Sequence, residues 1–112
     1  MTVETIQELL NAKLLNKASL NNTAKCGYVC DLLSWVMAKA QSGCVWVTVQ
    51  THMNVVAVAS LKEMSCIVLP EDIIMPEEPL KKAEEENIPV LSSPLSAYEI
   101  CARLNLQGLP PC

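Results

Sequence analysis

The sequence has no phenylalanine, only three glycines, one histidine, and no apolar run near the ~20 residues that span a bilayer. Each shortage excludes something. So few glycines leave no glycine-rich phosphate loop, and neither G-x-S-x-G nor H-E-x-x-H occurs. A lone histidine with serines and aspartates elsewhere does not make a triad, because triads are defined by geometry. No membrane span is expected. The opening Met-Thr-Val-Glu-Thr-Ile-Gln-Glu carries acids where a signal peptide would be basic and then apolar, which predicts a cytoplasmic protein. Basic residues are also scarce, 8 against 12 acidic ones for a net charge of −4. Lys13, Lys17, Lys25 and Lys39 are scattered and form no stripe. Nucleic-acid affinity depends on neutralising phosphates, so a nucleic-acid partner is not expected.

What remains is an apolar chain of 112 residues, 51% hydrophobic, long enough for one domain (1–112) with one core. The apolar residues are mainly Leu, Val, Ala, Ile and Met, which suits parallel strands covered by helices on both faces. So much apolar material is more than a small core readily hides, which predicts a homodimer. Seven acids between Glu71 and Glu86 read as a solvated helix face, with an acidic docking surface as the alternative. Six cysteines without a secretion signal read as reduced thiols. Cys44 and Cys66 lie in apolar strands as small hydrophobes. Cys26 and Cys30 are the closest pair, but their spacing is not C-x-x-C and no second pair completes four ligands. No metal or cofactor is expected, although a redox role for Cys26 and Cys30 stays open.

Periodicity supplies the elements. Val3, Ile6, Leu9 and Leu10 recur at a helical period after Thr2, a good N-cap. Lys13 to Asn16 fits a short edge strand, and Cys26 to Cys30 a second strand. Asp31 is placed to cap a helix whose stripe is Leu32, Leu33, Val36, Met37 and Ala40, with Gly43 ending it. Cys44 to Val49 is a strand rich in β-branched residues. Asn54 or Thr51 would then cap a helix reaching Leu61. Valines there favour a strand, but two parallel strands need a crossover between them, and that decides for helix. Ser65 to Leu69, stopped by Pro70, and Ile88 to Leu91 complete the strands, around a helix over 77–86. Ser96 and Glu99 form a capping box, flanked by Leu95 and Ile100 as a hydrophobic staple, for a last helix to about Gln107. The expected class is α/β, a mainly parallel sheet of four to five strands flanked by helices.

In such a sheet the loops leaving the carboxyl ends of the strands meet ligands. The polar residues there are Asp31 and Ser34, then Gln50, Thr51, His52 and Asn54, then Glu71 and Asp72, then Ser92 and Ser93. Two of these groups lead into helix N-termini, where free N–H groups favour an anion or phosphate. For Asp31, Ser93 and Ser96 capping is the favoured reading. The knot Thr51-His52-Met53-Asn54 holds more polar groups than one cap requires. The candidate ligand- or partner-binding residues are therefore Asp31, Gln50, Thr51, His52, Asn54, Ser92 and Ser93, with no catalytic set.

Three stretches carry a family likeness: Asp31-Leu-Leu-Ser-Trp-Val-Met-Ala-Lys-Ala, Trp46-Val-Thr-Val-Gln-Thr-His-Met-Asn-Val-Val-Ala-Val-Ala, and Ile88-Pro-Val-Leu-Ser-Ser-Pro. In that order they resemble the DRTGG domain family, and more closely its small stand-alone members, over about Thr2 to Leu106. The family is similar to the N-terminal domain of HPr kinase/phosphatase and also occurs beside CBS domains in certain pyrophosphatases. The resemblance implies a regulatory, non-catalytic and often dimeric α/β module. Stand-alone members tend to be encoded near iron–sulfur and hydrogenase-like proteins, which implies a partner in redox or energy-metabolism signalling. The chain departs from the naming motif. Thr51-His52 stands where Asp-Arg is expected, and Pro70-Glu71-Asp72 where Thr-Gly-Gly is expected.

The sequence thus points to a regulatory or interaction module rather than an enzyme. The alternative is a sensor binding a nucleotide or phosphorylated metabolite at the strand-end rim. A more remote alternative is a small enzyme using His52 as acid or base.

Overall fold

Thr2 sets the first element: its hydroxyl accepts the Thr5 amide and starts α1 (Val3–Leu9), with Glu4 in the first turn near the positive end of the helix dipole. The computed structural model describes all residues, Met1 to Cys112. After α1 come β1 (Lys13–Leu14), β2 (Cys26–Val29), α2 (Leu33–Lys39), β3 (Cys44–Val47) and α3 (Met53–Leu61). The chain ends with β4 (Cys66–Leu69), α4 (Glu77–Glu85), β5 (Val90–Ser92) and α5 (Ala97–Leu106). The five strands form one sheet in the order β1-β5-β4-β3-β2. All neighbours are parallel except β1, which runs antiparallel to β5 as an edge strand.

The residues of β3 and β4 are all buried, because helices cover both faces of the sheet. On one face, Val36 and Ala40 of α2, Val55, Val56 and Ala59 of α3 and Ala83 of α4 pack onto Cys26, Cys44, Trp46, Ile67, Leu69 and Val90. On the other, Val3, Ile6 and Leu10 join Ile100 and Leu104 of α5 over Val45, Val47, Cys66, Val68 and Leu91. Trp46 is the largest fully buried side chain, and its indole N–H donates to the Cys30 carbonyl at 2.9 Å, so no polar atom is stranded. The valine-rich α3 is helical because burial outweighs propensity: Val55 and Val56 have no exposed surface.

The acidic stretch is as expected, with Glu77, Glu78, Glu84 and Glu85 exposed on α4. Several local assignments need correction. The N-cap of α2 is Leu32, not Asp31. Neither Thr51 nor Asn54 caps α3; His52 holds that position without a side-chain hydrogen bond. Gly43 does not end α2, which stops at Lys39. It sits in the next turn at φ +82°, where a Cβ would lie 2.8 Å from the Lys25 stem, so both backbone and space require glycine. The cysteines are not all thiols, since Cys26 and Cys112 form a disulfide. Spacing could not show this pair, 86 residues apart, because only the folded chain lays Pro111 beside Gly27.

Candidate functional site

Because β2 to β5 are parallel, the segments after them leave from one edge of the sheet, where the candidate residues were expected. That edge divides into two networks. Beside β2 and β3, one Asp31 carboxylate oxygen accepts the Thr48 hydroxyl at 2.8 Å and the Val49 amide at 3.0 Å. Charge-assisted bonds of this kind are about twice as strong as neutral ones, which explains why Asp31 serves the neighbouring strand and not the helix after it. The Thr48 hydroxyl in turn accepts the Gln50 amide, and the Gln50 side chain donates to the Asp31 carbonyl at 3.3 Å. Asp31 and Gln50 thus stitch two loops into one platform.

Thr51, His52 and Asn54 lie beyond it, Thr51 half-buried and the other two exposed. They lead straight into α3, whose first N–H groups no side chain caps. Such a terminus favours an anion.

Beside β5 the serines are occupied. Ser92 is buried and its hydroxyl donates to the Ile73 carbonyl at 2.7 Å. Ser93 has no exposed surface; it donates to the Leu10 carbonyl at 2.7 Å and accepts the Leu95 amide at 3.2 Å. The structure therefore brings Asp31, Gln50, Thr51, His52 and Asn54 together on the surface, and ties Ser92 and Ser93 into the interior of the same edge. Between them, Glu71 and Asp72 stand at φ +59° and +58°, held by amide bonds of 2.9 Å to the Leu95 and Ser93 carbonyls. These two positions, where the family motif has Gly-Gly, adopt the left-handed backbone that glycine tolerates best.

None of the three main cavities includes the candidate residues. One, of about 240 Å³, lies between β2, α5 and the segment Leu109–Pro111. A polar one of about 350 Å³ lies at the opposite edge of the sheet among Lys25, Ser60, Glu63, Ser65 and Glu86. The third, of about 360 Å³, is a groove of α3 and α4 that Met53 reaches. The rim lies outside all three.

Sequence reasoning missed what surrounds that surface. Val29, Leu32, Trp35, Val49 and Met53 are all exposed, and all belong to the carboxyl ends of β2 and β3 or to the first turns of α2 and α3. Trp35 is 55% exposed, with the Lys39 ammonium 5.1 Å above its ring. The available signal was Trp35 itself, a large aromatic off the buried stripe of its helix. Asn16 was also missed. It is buried, donates to the Ile88 carbonyl at 2.9 Å and accepts the Val90 amide at 3.4 Å, which fixes the start of β5.

No family model matches the chain, and neither does any curated protein. Its backbone is similar to a crystal structure of the CBS and DRTGG domains of the regulatory region of a Clostridium perfringens pyrophosphatase, complexed with the activator diadenosine tetraphosphate. The TM-score is 0.75 at 18% identity, over 97% of this chain and 47% of that one. The chain thus spans about half the length of that regulatory region. The five-stranded α/β domain has the CBS/DRTGG type of fold.

Proposed function

We propose that this domain is a non-catalytic regulatory module of the DRTGG type that works through protein contact, as a homodimer formed on the rim of β2 and β3. The observation that carries the reading is the set of five exposed apolar side chains at the carboxyl ends of β2 and β3 and the first turns of α2 and α3, the end of the sheet that holds Asp31 and Gln50. Large apolar side chains exposed together at one end of a fold mark an interaction surface. Family membership is supported by the fold and by the left-handed pair Glu71-Asp72 at the Gly-Gly position of the motif. Light scattering at tens of micromolar should give twice the monomer mass for the natural chain and the monomer mass for Trp35→Glu. A monomeric natural chain overturns the homodimer.

A second reading, a sensor for a nucleotide or phosphorylated metabolite, is favoured by the uncapped start of α3 beside His52. The activator in the pyrophosphatase complex supports trying adenine dinucleotide polyphosphates first. Diadenosine tetraphosphate should raise the melting temperature of the natural chain and not of His52→Ala. An iron–sulfur or hydrogenase-like partner rests on the family resemblance, and co-purification from the native host tests it.

A further inference from the structure

The sulfur atoms of Cys26, Cys44 and Cys112 all lie within 4.8 Å of one another on the α2–α4 face of the sheet. Cys44 is fully buried, Cys26 nearly so and Cys112 half-buried, with Val36, Ala40 and Trp46 in the same apolar cluster. We propose that Cys26, Cys44 and Cys112 form a site for one monovalent copper ion, open only when the Cys26–Cys112 disulfide is reduced.

The argument is geometric first. Thiolate–metal bonds of about 2.3 Å in a trigonal plane place three sulfurs about 4 Å apart. The cluster already has that span, so filling it needs only the opening of the bonded pair. Thiolates select soft ions, with Cu(I) and Zn(II) the principal candidates. Structural zinc takes four ligands, and no histidine or carboxylate joins these three sulfurs. Cuprous ion is satisfied by three.

Cys112 does not depend on the disulfide for its place. Its amide donates to the Gly27 carbonyl at 3.1 Å, and the Gly27 amide donates to the Pro110 carbonyl at 2.9 Å. The segment Leu109–Cys112 therefore lies along the outer edge of β2, with Leu109 buried as its anchor.

The chemistry balances with one co-reactant, a dithiol reductant. It gives two electrons and two protons to the Cys26–Cys112 bond and becomes a disulfide itself, leaving three thiols. Copper binding then releases the thiol protons to solvent.

The test uses the full chain, reduced with a dithiol, freed of reductant under argon and titrated with Cu(I) against a chromophoric cuprous chelator. One Cu(I) per chain should be held by the reduced protein and none by the oxidised protein. Cys44→Ala and Cys112→Ser should each weaken binding at least about 100-fold, and Cys101→Ala should not. Cys112→Ser alters a half-buried side chain outside the helices and strands rather than a fully buried strand residue, so it decides the matter if Cys44→Ala melts early. Equal binding by oxidised and reduced protein, loss of copper to the chelator by the reduced natural chain, or displacement of copper by zinc would each overturn the assignment.

Discussion

The loops after β3 and β5 leave the same edge of the sheet, yet one offers its polar groups to solvent and the other spends them inside. The difference lies in the neighbours. Beyond β5 lies β1, and α1 packs below, so Ser93 faces the Leu10 carbonyl at the end of α1, while the segment after β4 brings the Ile73 carbonyl to Ser92. Around β3 the neighbouring strand β2 ends in a loop, and the Asp31 and Gln50 side chains reach across between the two loops. Polar residues at a strand end become available for binding where the sheet edge runs out of partners. Where a helix end and a neighbouring loop pack against the strand end, their carbonyls claim the hydroxyls.

Substitution at the two ends should measure that contrast. Ser93→Ala has the largest expected effect, because it leaves the Leu10 carbonyl and the Leu95 amide without their partner in a fully buried place. A loss of about 2–3 kcal/mol is expected in urea unfolding. Asp31→Ala comes next, at about 1 kcal/mol: two bonds to Thr48 and Val49 are lost, but the carboxylate is exposed and water replaces part of them. If Asp31→Ala proves the more damaging, the rim platform is the structural end and the assignment of roles reverses.

The same contrast explains what could be read from sequence. The class of fold was legible, because strands buried on both faces and helices between them leave strong periodic signals. Thr2 and Ser96 were legible as caps, since each bonds an amide three residues away. Asp31 was misread because its partners, Thr48 and Val49, are close only through strand pairing. The Cys26–Cys112 bond and the Ser93–Leu10 bond join residues 86 and 83 apart, and no local pattern carries them. The knot Gln50 to Asn54 could be placed at a strand end, but only the structure reveals that Val49 and Met53 beside it are exposed.

A smaller effect of opposite sign is expected between the two loops. Glu71 and Asp72 hold left-handed backbone at exposed positions, and a Cβ there carries a steric penalty. Glu71→Gly should stabilise the chain by up to about 1 kcal/mol, the relief being reduced by the entropy glycine adds to the unfolded state. Thermal unfolding of Glu71→Gly and Asp72→Gly checks it, and a fall in both would show that these carboxylates make contacts worth more than the strain.

His52→Ala should show the smallest change in stability and the clearest change in binding. His52 is exposed, precedes α3 at the N-cap, and makes no side-chain bond to the helix it begins. Removing it exposes no core and strands no buried partner, so unfolding should shift by less than about 0.5 kcal/mol. The imidazole nonetheless stands beside the uncapped first N–H groups of α3, at the end of the sheet that also exposes Val49, Met53 and Trp35. A second copy or a phosphorylated ligand seated there would meet it. The dimer dissociation constant from sedimentation and the thermal shift with diadenosine tetraphosphate are therefore the measurements to pair with the melting curve. A large fall in melting temperature with both interactions intact would make His52 a structural cap and move the search to the polar cavity at the opposite edge of the sheet.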